Sequence, residues 1–560
     1  MEIFVARTAS ADSEPISGGG TTSASKSRSN TLLIGVLLLA TVVITRGIDK
    51  GEFNYNVDET QHAVTGLFVA DFMRDLPVFH PVQYTYRYYA QYPALAGIIH
   101  WPPLFYVFEG IAFWAFGPSV VAARSAILVF ALFGLYFWFR LVKELQNEWA
   151  AALSTALLAL LPSILLFEKT VMLEIPSLSL CIAASYFWTR YLRHGKGADV
   201  YWFAGLASAA LLTKQNSIYL GLFCLFTLLT MRRWPLLVKK DSLKALAICL
   251  LLVCPYYLLV YFVHWSTIAM DLGDQKVSGM GGILFYWKAL PTQLGWTLLL
   301  LSILGAVTSS LWDRRETTLL MLSWIAACYV TFTVIGLKES RYVVYWLPPF
   351  LYFAAGLLTS MVRTRWGRMA MGVASVVLLA TVVMSAWSYQ RPNVTGYASA
   401  AERITEQSKS GIILFDGDLA GDFIFYMRAY DPSRRFVVLR KALYAYRIKP
   451  SGGEVELLHS SEELNDLVRR YGIRFVVISD NSPMHFEVQR VLREYLRSDQ
   501  FSLMGQFPVK DSDFPERNSA LLVYENLRWT PPTEKFLRIK MLTLHHDIVV
   551  PLDDFRFGPK

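Results

Sequence analysis

Long apolar runs alternate with short polar segments along the first 390 residues of the chain. About 20 apolar residues in a helix span the hydrocarbon of a bilayer, and runs of 15–22 residues recur between about Thr31 and Ser388. The runs begin near Leu32, Pro103, Val120, Trp149, Leu173, Tyr201, Ile218, Ala245, Leu294, Thr317, Val343 and Met369. This pattern predicts a mainly α-helical, polytopic membrane domain of about 11–13 spans over residues 31–390.

Two polar segments flank the first apolar run. Residues 1–30 are rich in Ser, Thr and Gly, which predicts a disordered cytoplasmic tail. The polar and aromatic stretch 46–100 predicts a large first outer loop. We expect two short amphipathic helices there, Thr60–Arg74 and roughly Tyr88–Ile99, lying on the membrane surface with aromatic side chains at headgroup level.

The pattern changes after residue 390, where short β-branched segments alternate with amphipathic ones. Residues Ser461–Tyr471 and Phe486–Arg497 have helical periodicity. The β-branched segments, which predict strands, read GIILFDG, RFVVLR, IRFVVIS and SALLVYE. Strands that alternate with helices indicate a small α/β layer, so we predict a soluble α/β domain over residues 391–560.

Charge locates the membrane part and its orientation. The chain is 54% hydrophobic and only 17% charged, with a net charge of +9. Residues 391–560 hold 24 Lys and Arg against 23 Asp and Glu, so the first 390 residues carry almost all of the surplus. We read it as cytoplasmic loop charge rather than a nucleic-acid surface, which would need aromatic and Gly-rich RNA signatures. The five cysteines lie in apolar runs, without metal-ligand spacing.

The positive-inside bias places the N-terminus in the cytoplasm and the C-terminal domain outside it. We expect the membrane to be a bacterial inner (plasma) membrane. This assignment requires that the short run Pro103–Phe116 does not cross the bilayer. Thirteen or fourteen residues are marginal for a span, and the alternative is that this run crosses and a later run does not.

An acidic pair, Asp58 and Glu59, follows the first span and opens a helical stretch. These residues either complement a helix dipole or act as a catalytic base, and Asp58 could also hold a divalent metal. No other cofactor is indicated. His100 precedes Pro102-Pro103, where it is either a phosphate contact or an interfacial residue at a helix start.

Further ionisable residues occur at the outer ends of the predicted spans and in an outer loop. Such groups are costly at membrane depth, so each is a functional candidate, with mutual pairing and snorkelling as the alternatives. They are Arg124, Glu168, Lys169, Glu174, Lys214, Asp271, Lys338, Glu339 and Arg341, with Tyr342 as an aromatic neighbour. Carboxylates, cations and aromatic rings on one membrane face suit a lipid-linked donor whose phosphate departs.

The order of motifs resembles the GT-C superfamily of membrane glycosyltransferases. Asp58-Glu59 is followed by the Pro-Pro segment, FGPSVVAAR, MLEIP, LLTKQ and KESRYVVYWLPP, over roughly Leu32–Leu358. The nearest likeness is to the protein O-mannosyltransferase and lipid A aminoarabinose transferase groups. The resemblance implies a GT-C-like fold and an inverting transferase that moves a sugar from a polyprenyl-phosphate donor to a lipid, glycan or protein acceptor.

The resemblance also implies roles for individual residues. Asp58 and Glu59 match the family's catalytic acids, and Arg341 matches an arginine that contacts the carrier phosphate. The other residues assigned to the donor phosphate are Lys338, Lys214, Arg124 and His100. Glu174, which stands where relatives often have Asp, is assigned to substrate binding together with Glu168, Tyr342 and Asp271.

The alternative function is a transporter or flippase for a lipid or a sugar. Many transporters place their polar groups near the bilayer midplane and carry an internal repeat. This chain instead concentrates ionisable residues at span ends and has no apparent repeat. A non-catalytic membrane scaffold is a third interpretation.

Overall fold

The computed structural model describes residues 19–53, 56–95, 100–273, 279–360, 365–446, 454–481, 484–541 and 547–555. Helices occupy most of the chain up to residue 388, and a sheet with flanking helices follows, which confirms the predicted fold class. Asp271 lies in a helix, but its side chain is outside the described residues.

The helices of the first half are numbered in chain order. They are α1 Gly19–Thr45, α2 Asn56–Asp75, α3 Pro81–Gln91, α4 Leu104–Phe116, α5 Val120–Leu145, α6 Glu148–Leu160, α7 Pro162–Glu168, α8 Glu174–His194, α9 Gly197–Leu211, α10 Tyr219–Thr230, α11 Lys240–Gly273, α12 Gly279–Leu294, α13 Trp296–Val307, α14 Arg315–Val334, α15 Leu347–Ser360 and α16 Arg365–Ser388. Helix α1 begins at Gly19, so the prediction of a disordered tail is wrong for residues 19–30; residues 1–18 lie outside the described part.

Six helices in the described residues are long and apolar enough to cross a membrane, and two bent pairs, α6 with α7 and α12 with α13, bring the number to as many as eight. Helix α4 is apolar but has 13 residues. At 1.5 Å per residue it is about 20 Å long, less than the roughly 30 Å of hydrocarbon. Whether it crosses stays a prediction.

The first outer loop forms two helices, but they are not surface helices as expected. Helix α2 buries Ala63, Val64 and Leu67, because α4 packs on it from one side and the C-terminal domain from another. The α2–α4 contact is close: a side chain at Gly66 would collide with the Glu109 carboxylate. Helix α3 starts at Pro81, a favourable first helical residue, and ends at Gln91, so the predicted helix Tyr88–Ile99 is wrong.

The C-terminal domain has a six-stranded mixed sheet in the order β1-β7-β8-β6-β2-β3. Strand β2 pairs in parallel with β3 on one side and with β6 on the other. Strand β8 is antiparallel to β6, and β7 is antiparallel to β8. Two hairpins, β4–β5 and β9–β10, flank it. The strands are β1 Val394–Thr395, β2 Gly411–Asp416, β3 Phe436–Leu439, β4 Tyr444–Tyr446, β5 Glu454–Glu456, β6 Ile473–Ser479, β7 Phe501–Asp511, β8 Ser519–Asn526, β9 Phe536–Ile539 and β10 Ile548–Pro551.

Four further helices complete this domain: α17 Tyr397–Gln407, α18 Ala420–Tyr430, α19 Ser461–Tyr471 and α20 Glu487–Tyr495. All four predicted strands and both predicted helices are confirmed, whereas α17, α18 and β7 were not predicted. Alternate residues of β2 face opposite ways, as a strand requires. Ile413 joins the core shared with the membrane helices, and Leu414 joins a second core under α19 and α20.

Polar contacts lock the C-terminal domain onto the first outer loop. Glu52 accepts hydrogen bonds of 3.0 Å from the backbone N–H groups of residues 396–398, so it caps the N-terminus of α17. At the other end of α2, Asp71 forms a buried pair with Arg428 of α18, with Nε–Oδ2 at 2.7 Å. Both ends of α2 are therefore held by the C-terminal domain.

Candidate functional site

Asp58 and Arg341 meet at the outer end of the helical domain. Asp58 lies in the first turn of α2, and Arg341 lies in the 3₁₀ segment Ser340–Trp346, which leads directly into α15. The Arg341 Nη1 donates to Asp58 Oδ2 at 2.9 Å. The Asp58 side chain is 17% exposed and the Arg341 side chain is 12% exposed, so this ion pair is reachable from solvent.

A second ion pair lies behind the first. Glu174, at the start of α8, is fully buried, and its Oε1 accepts a 2.6 Å bond from the ammonium of Lys214. The same oxygen lies 3.9 Å from Arg341 Nε. Glu174 Oε2 has no hydrogen-bond partner within the described residues. Two cations and two carboxylates thus form one continuous cluster, which we call the charge cluster (Asp58, Glu174, Lys214 and Arg341).

Glu339 and Tyr342 hold the Arg341 side chain from its own segment. Arg341 Nε donates to Glu339 Oε2 at 2.5 Å, and the Tyr342 hydroxyl donates to Glu339 Oε1 at 3.3 Å. The guanidinium is therefore fixed at Nε by one carboxylate and at Nη1 by another. Its planar fork is oriented in advance, which lowers the entropy cost of binding an anion.

Glu59 differs from its neighbour Asp58. It is fully buried, and its Oε1 accepts a 2.9 Å bond from the backbone N–H of Val171, in the turn that precedes Glu174. This contact ties α2 to the start of α8 and so sets Asp58 and Glu174 relative to each other. In this structure the Glu59 carboxylate is buried and positions α2, and its predicted catalytic role stays a prediction.

His62 was not among the predicted site residues. It lies one helical turn after Asp58, so the i, i+4 spacing places both on one face of α2. Its Nδ1 lies 2.7 Å from the Tyr106 hydroxyl, and its ring packs edge-on against Trp101 with centroids 4.6 Å apart. Burial, together with the charges of Lys214 and Arg341, lowers the pKa of His62 well below its usual value, so the imidazole is neutral at pH 7.

His100 lies at the edge of this group. Its side chain is exposed, its ring packs near Trp101, and its carbonyl accepts a 3.4 Å bond from Gln215. The Trp101 ring therefore contacts both His100 and His62. The contact of His100 with a donor phosphate stays a prediction, as does substrate contact by the half-buried Tyr342.

Two predicted phosphate ligands have other partners. The Lys338 ammonium donates to the carbonyls of Phe332, Thr333 and Ile335 at 2.5–2.7 Å, so all three of its protons cap the C-terminal end of α14. The Arg124 guanidinium is buried and donates to backbone carbonyls of residues 48–52. In this structure both cations satisfy backbone acceptors that sequence spacing does not reveal, and their contact with a donor phosphate stays a prediction.

Two further candidates fall outside the charge cluster. Glu168 is 2% exposed at the end of α7, and substrate binding by this residue stays a prediction. The neighbouring Lys169 donates to the carbonyl of Arg46 at 3.2 Å and joins α7 to the first outer loop. No group of three potential metal-ligand side chains lies together among the described residues. A divalent ion at Asp58 stays a prediction.

The arrangement combines three chemical capacities at one membrane face. A solvent-reachable carboxylate can accept a proton, two cations can stabilise negative charge that develops nearby, and the aromatic rings of residues 101, 106 and 342 pack against His62 and Arg341. Low local dielectric strengthens these charge interactions compared with water.

Comparisons with known proteins bear on the fold that carries this site. Residues 100–258 match the family model described as dolichyl-phosphate-mannose-protein mannosyltransferase. ArnT from Cupriavidus metallidurans, solved bound to undecaprenyl phosphate, matches with a TM-score of 0.59 at 14% identity over 88% of this chain and 98% of its own. Its apo state matches with a TM-score of 0.60 at 13% identity over 89% of this chain and 98% of its own.

The mycobacterial arabinofuranosyltransferase AftD matches with a TM-score of 0.52 at 13% identity, over 91% of this chain and 40% of its own. No curated protein sequence matches the chain. The neighbours and the family model all belong to the GT-C superfamily, so the predicted resemblance is confirmed, and the chain is a multi-pass membrane protein with the GT-C fold.

Proposed function

We propose that this chain, a membrane protein with the GT-C fold, transfers a sugar from a polyprenyl-phosphate donor to an acceptor hydroxyl at the outer face of the membrane. The observation that carries the proposal is the charge cluster, in which Asp58 and Arg341 meet at 2.9 Å beside the Glu174–Lys214 pair. The undecaprenyl phosphate bound by ArnT and the dolichyl-phosphate donor in the family description support a polyprenyl-phosphate carrier.

In the proposed reaction Asp58 is the general base. The acceptor oxygen attacks the anomeric carbon of the donor sugar and gives its proton to the Asp58 carboxylate. The bond between the anomeric carbon and the phosphate oxygen breaks, and its electron pair leaves on the polyprenyl phosphate. Attack opposite the leaving group inverts the anomeric configuration, and general-base catalysis contributes about 10²–10⁴-fold.

Arg341 and Lys214 are assigned to the departing phosphate. A guanidinium binds two phosphate oxygens in its fork, and an ammonium adds a point charge. Glu174 holds both cations in place before the donor arrives, so little reorganisation is needed as charge develops on the leaving group. Aromatic rings near Trp101 provide faces on which a sugar can stack.

The orientation is part of the proposal. The C-terminal domain lies outside the cytoplasm, so a cysteine placed at Met484, which is 55% exposed, is labelled in intact cells by an impermeant maleimide. The five native cysteines lie in apolar segments and provide a low background. Labelling only after cell lysis would reverse the orientation.

The decisive experiment compares lipid-linked sugars in cells that carry the native chain or Asp58→Asn as the only copy. The proposal expects one polyprenyl-phosphate sugar to accumulate in the variant, and that compound names the donor. Purified native protein then transfers the labelled sugar, and the variant does not. Identical lipid profiles together with equal transfer by both proteins would refute the proposal.

A further inference from the structure

A cavity of about 180 Å³ lies in the C-terminal domain at the carboxyl end of edge strand β3. Its floor is apolar and includes the buried side chains of Leu439, Leu458 and Leu537. Its walls carry four cations, and none of the described residues that line it is Asp or Glu. We call this cavity the basic pocket; its cations are Arg440, Lys441, Arg470 and Arg538.

The four cations come from three separate parts of the fold. Arg440 and Lys441 follow β3, Arg470 is in the last turn of α19, and Arg538 is in β9. The fold therefore brings like charges together around one concave surface. Their mutual repulsion is unfavourable unless an anion neutralises it, and a concave surface of one sign concentrates such an anion.

Two of these cations, Arg470 and Arg538, have side-chain donors that no described residue accepts from. The Arg538 side chain makes no ion pair or hydrogen bond with any described residue, and Arg470 pairs through Nε with Asp466 at 2.9 Å, which leaves its two Nη groups. The Lys441 ammonium donates to the Tyr89 hydroxyl at 3.0 Å. A bidentate guanidinium fork matches phosphate oxygens in shape as well as charge.

The position and the size of the pocket limit the kinds of ligand that it can bind. Open α/β sheets bind ligands outside the carboxyl ends of their parallel strands, where this pocket lies. Its volume is below the roughly 300–1,000 Å³ typical of sites that enclose a whole small molecule. It accommodates one anionic group and a few attached atoms. Pro93 of the first outer loop also lines it, so it opens at the junction of loop and domain.

We propose that the basic pocket binds a phosphate ester, with the phosphate on the Arg470 and Arg538 forks and its attached carbon atoms on the leucine floor. The phosphate is carried either by a lipid headgroup or by a soluble phosphorylated compound. This site is separate from the charge cluster and does not depend on the proposed transferase reaction.

The test uses the full-length protein in nanodiscs of phosphatidylcholine. One arm titrates inorganic phosphate and glycerol phosphate by calorimetry, and the other counts phosphatidylglycerol molecules retained in native mass spectrometry. The variant is Arg470→Gln with Arg538→Gln, since both side chains are exposed and their loss leaves the core intact. The matched control is Arg490→Gln with Arg517→Gln, which removes equal charge from exposed positions outside the pocket.

The proposal expects the variant to bind phosphate at least tenfold more weakly than the native protein, or to retain one lipid fewer. The control should bind within twofold of the native protein. Loss in the soluble arm alone identifies a soluble ester, and loss in the lipid arm alone identifies a headgroup. Equal binding by variant and control in both arms, or no binding by the native protein, overturns it. Any phosphate that binds at the charge cluster binds equally to the native protein, the variant and the control, so it does not affect the comparison.

Discussion

The Arg341 guanidinium donates to the Asp58 carboxylate at 2.9 Å, although 283 positions separate the two residues in the chain. Both side chains stay partly exposed while the ion pair behind them is buried. The exposed pair therefore faces the substrate side, and the buried pair supports it. This division of roles leads to separate expectations for each member.

Asp58→Asn should reduce transfer by at least about a hundredfold, because the amide cannot accept the acceptor's proton. The side chain keeps its size, so the thermal unfolding midpoint should hardly change. Initial rates with a polyprenyl-phosphate sugar test this expectation. Asp513→Asn, an exposed substitution in the C-terminal domain, is the control. Native rates in the Asp58 variant would remove Asp58 from the mechanism.

Arg341→Gln should raise the KM for the lipid donor about tenfold or more, because a charge-assisted hydrogen bond contributes roughly 1.5–3 kcal/mol. Arg341→Lys should give an intermediate value, since it keeps the charge and loses the fork. The KM for the acceptor should change less than the KM for the donor. An unchanged donor KM in both variants would leave Arg341 only an anchoring role.

The Glu174–Lys214 pair permits a test that separates stability from catalysis. Glu174→Gln leaves the buried Lys214 ammonium without its carboxylate, and such a loss costs about 3–5 kcal/mol. Adding Lys214→Met should restore most of the thermal stability in detergent. Transfer should stay low in the double variant, because the phosphate has lost a cation. Recovery of stability and activity together would show that the pair is purely structural.

The Asp71–Arg428 contact should be essential for the packing of α2 against the C-terminal domain. Arg428→Leu leaves the buried carboxylate with the Tyr88 hydroxyl at 3.0 Å and with Arg74 and Arg434 only at 4.0 Å, so we expect a loss near the lower end of about 3–5 kcal/mol. Arg490→Leu on the exposed face of α20 is the matched control, and its unfolding midpoint should stay close to that of the native protein, because exposed ion pairs contribute little to stability. Thermal unfolding midpoints of both variants provide the comparison, and equal midpoints would contradict the expectation.

His62 should make stability depend on pH. Its pKa in the folded protein lies well below 6.5, so the unfolded chain binds an extra proton as the pH falls below about 6.5. Stability should therefore fall on acidification through this range, by at most about 1.4 kcal/mol per pH unit from this group. His62→Gln should flatten the dependence of the unfolding midpoint between pH 5 and 7. An unchanged slope would mean that another group titrates there.

The sequence was informative where chemistry is local. The acidic pair after the first span pointed to Asp58, and the ionisable residues at span ends included Glu174, Lys214 and Arg341. Charged groups are costly near hydrocarbon, so their presence there indicates a structural or functional role. Period-two and helical patterns also predicted the four strands and both helices of the C-terminal domain. These inferences depend on a residue and its immediate neighbours, which a sequence displays directly.

The places where the structure differs from the sequence-based expectations have a common physical origin. Lys338 and Arg124 are also cations at span ends, but their N–H groups donate hydrogen bonds to backbone carbonyls of other turns. The polar residues of α2 predicted a surface helix, yet Asp71 is buried because Arg428 compensates it. In each case the partner is a group that only the folded chain brings near, so spacing could not distinguish a ligand-binding charge from a structural one.

The contacts that hold α2 have a consequence for the order in which the protein is made. Asp71 cannot form its ion pair until Arg428 has been synthesised, 357 positions later in the chain. At about 5–20 residues per second this interval is roughly 20–70 seconds. During that time the membrane helices can insert, but the helix that carries Asp58 lacks its support. Under the proposed function, the nascent protein should therefore be inactive until its final domain has folded and docked against α2.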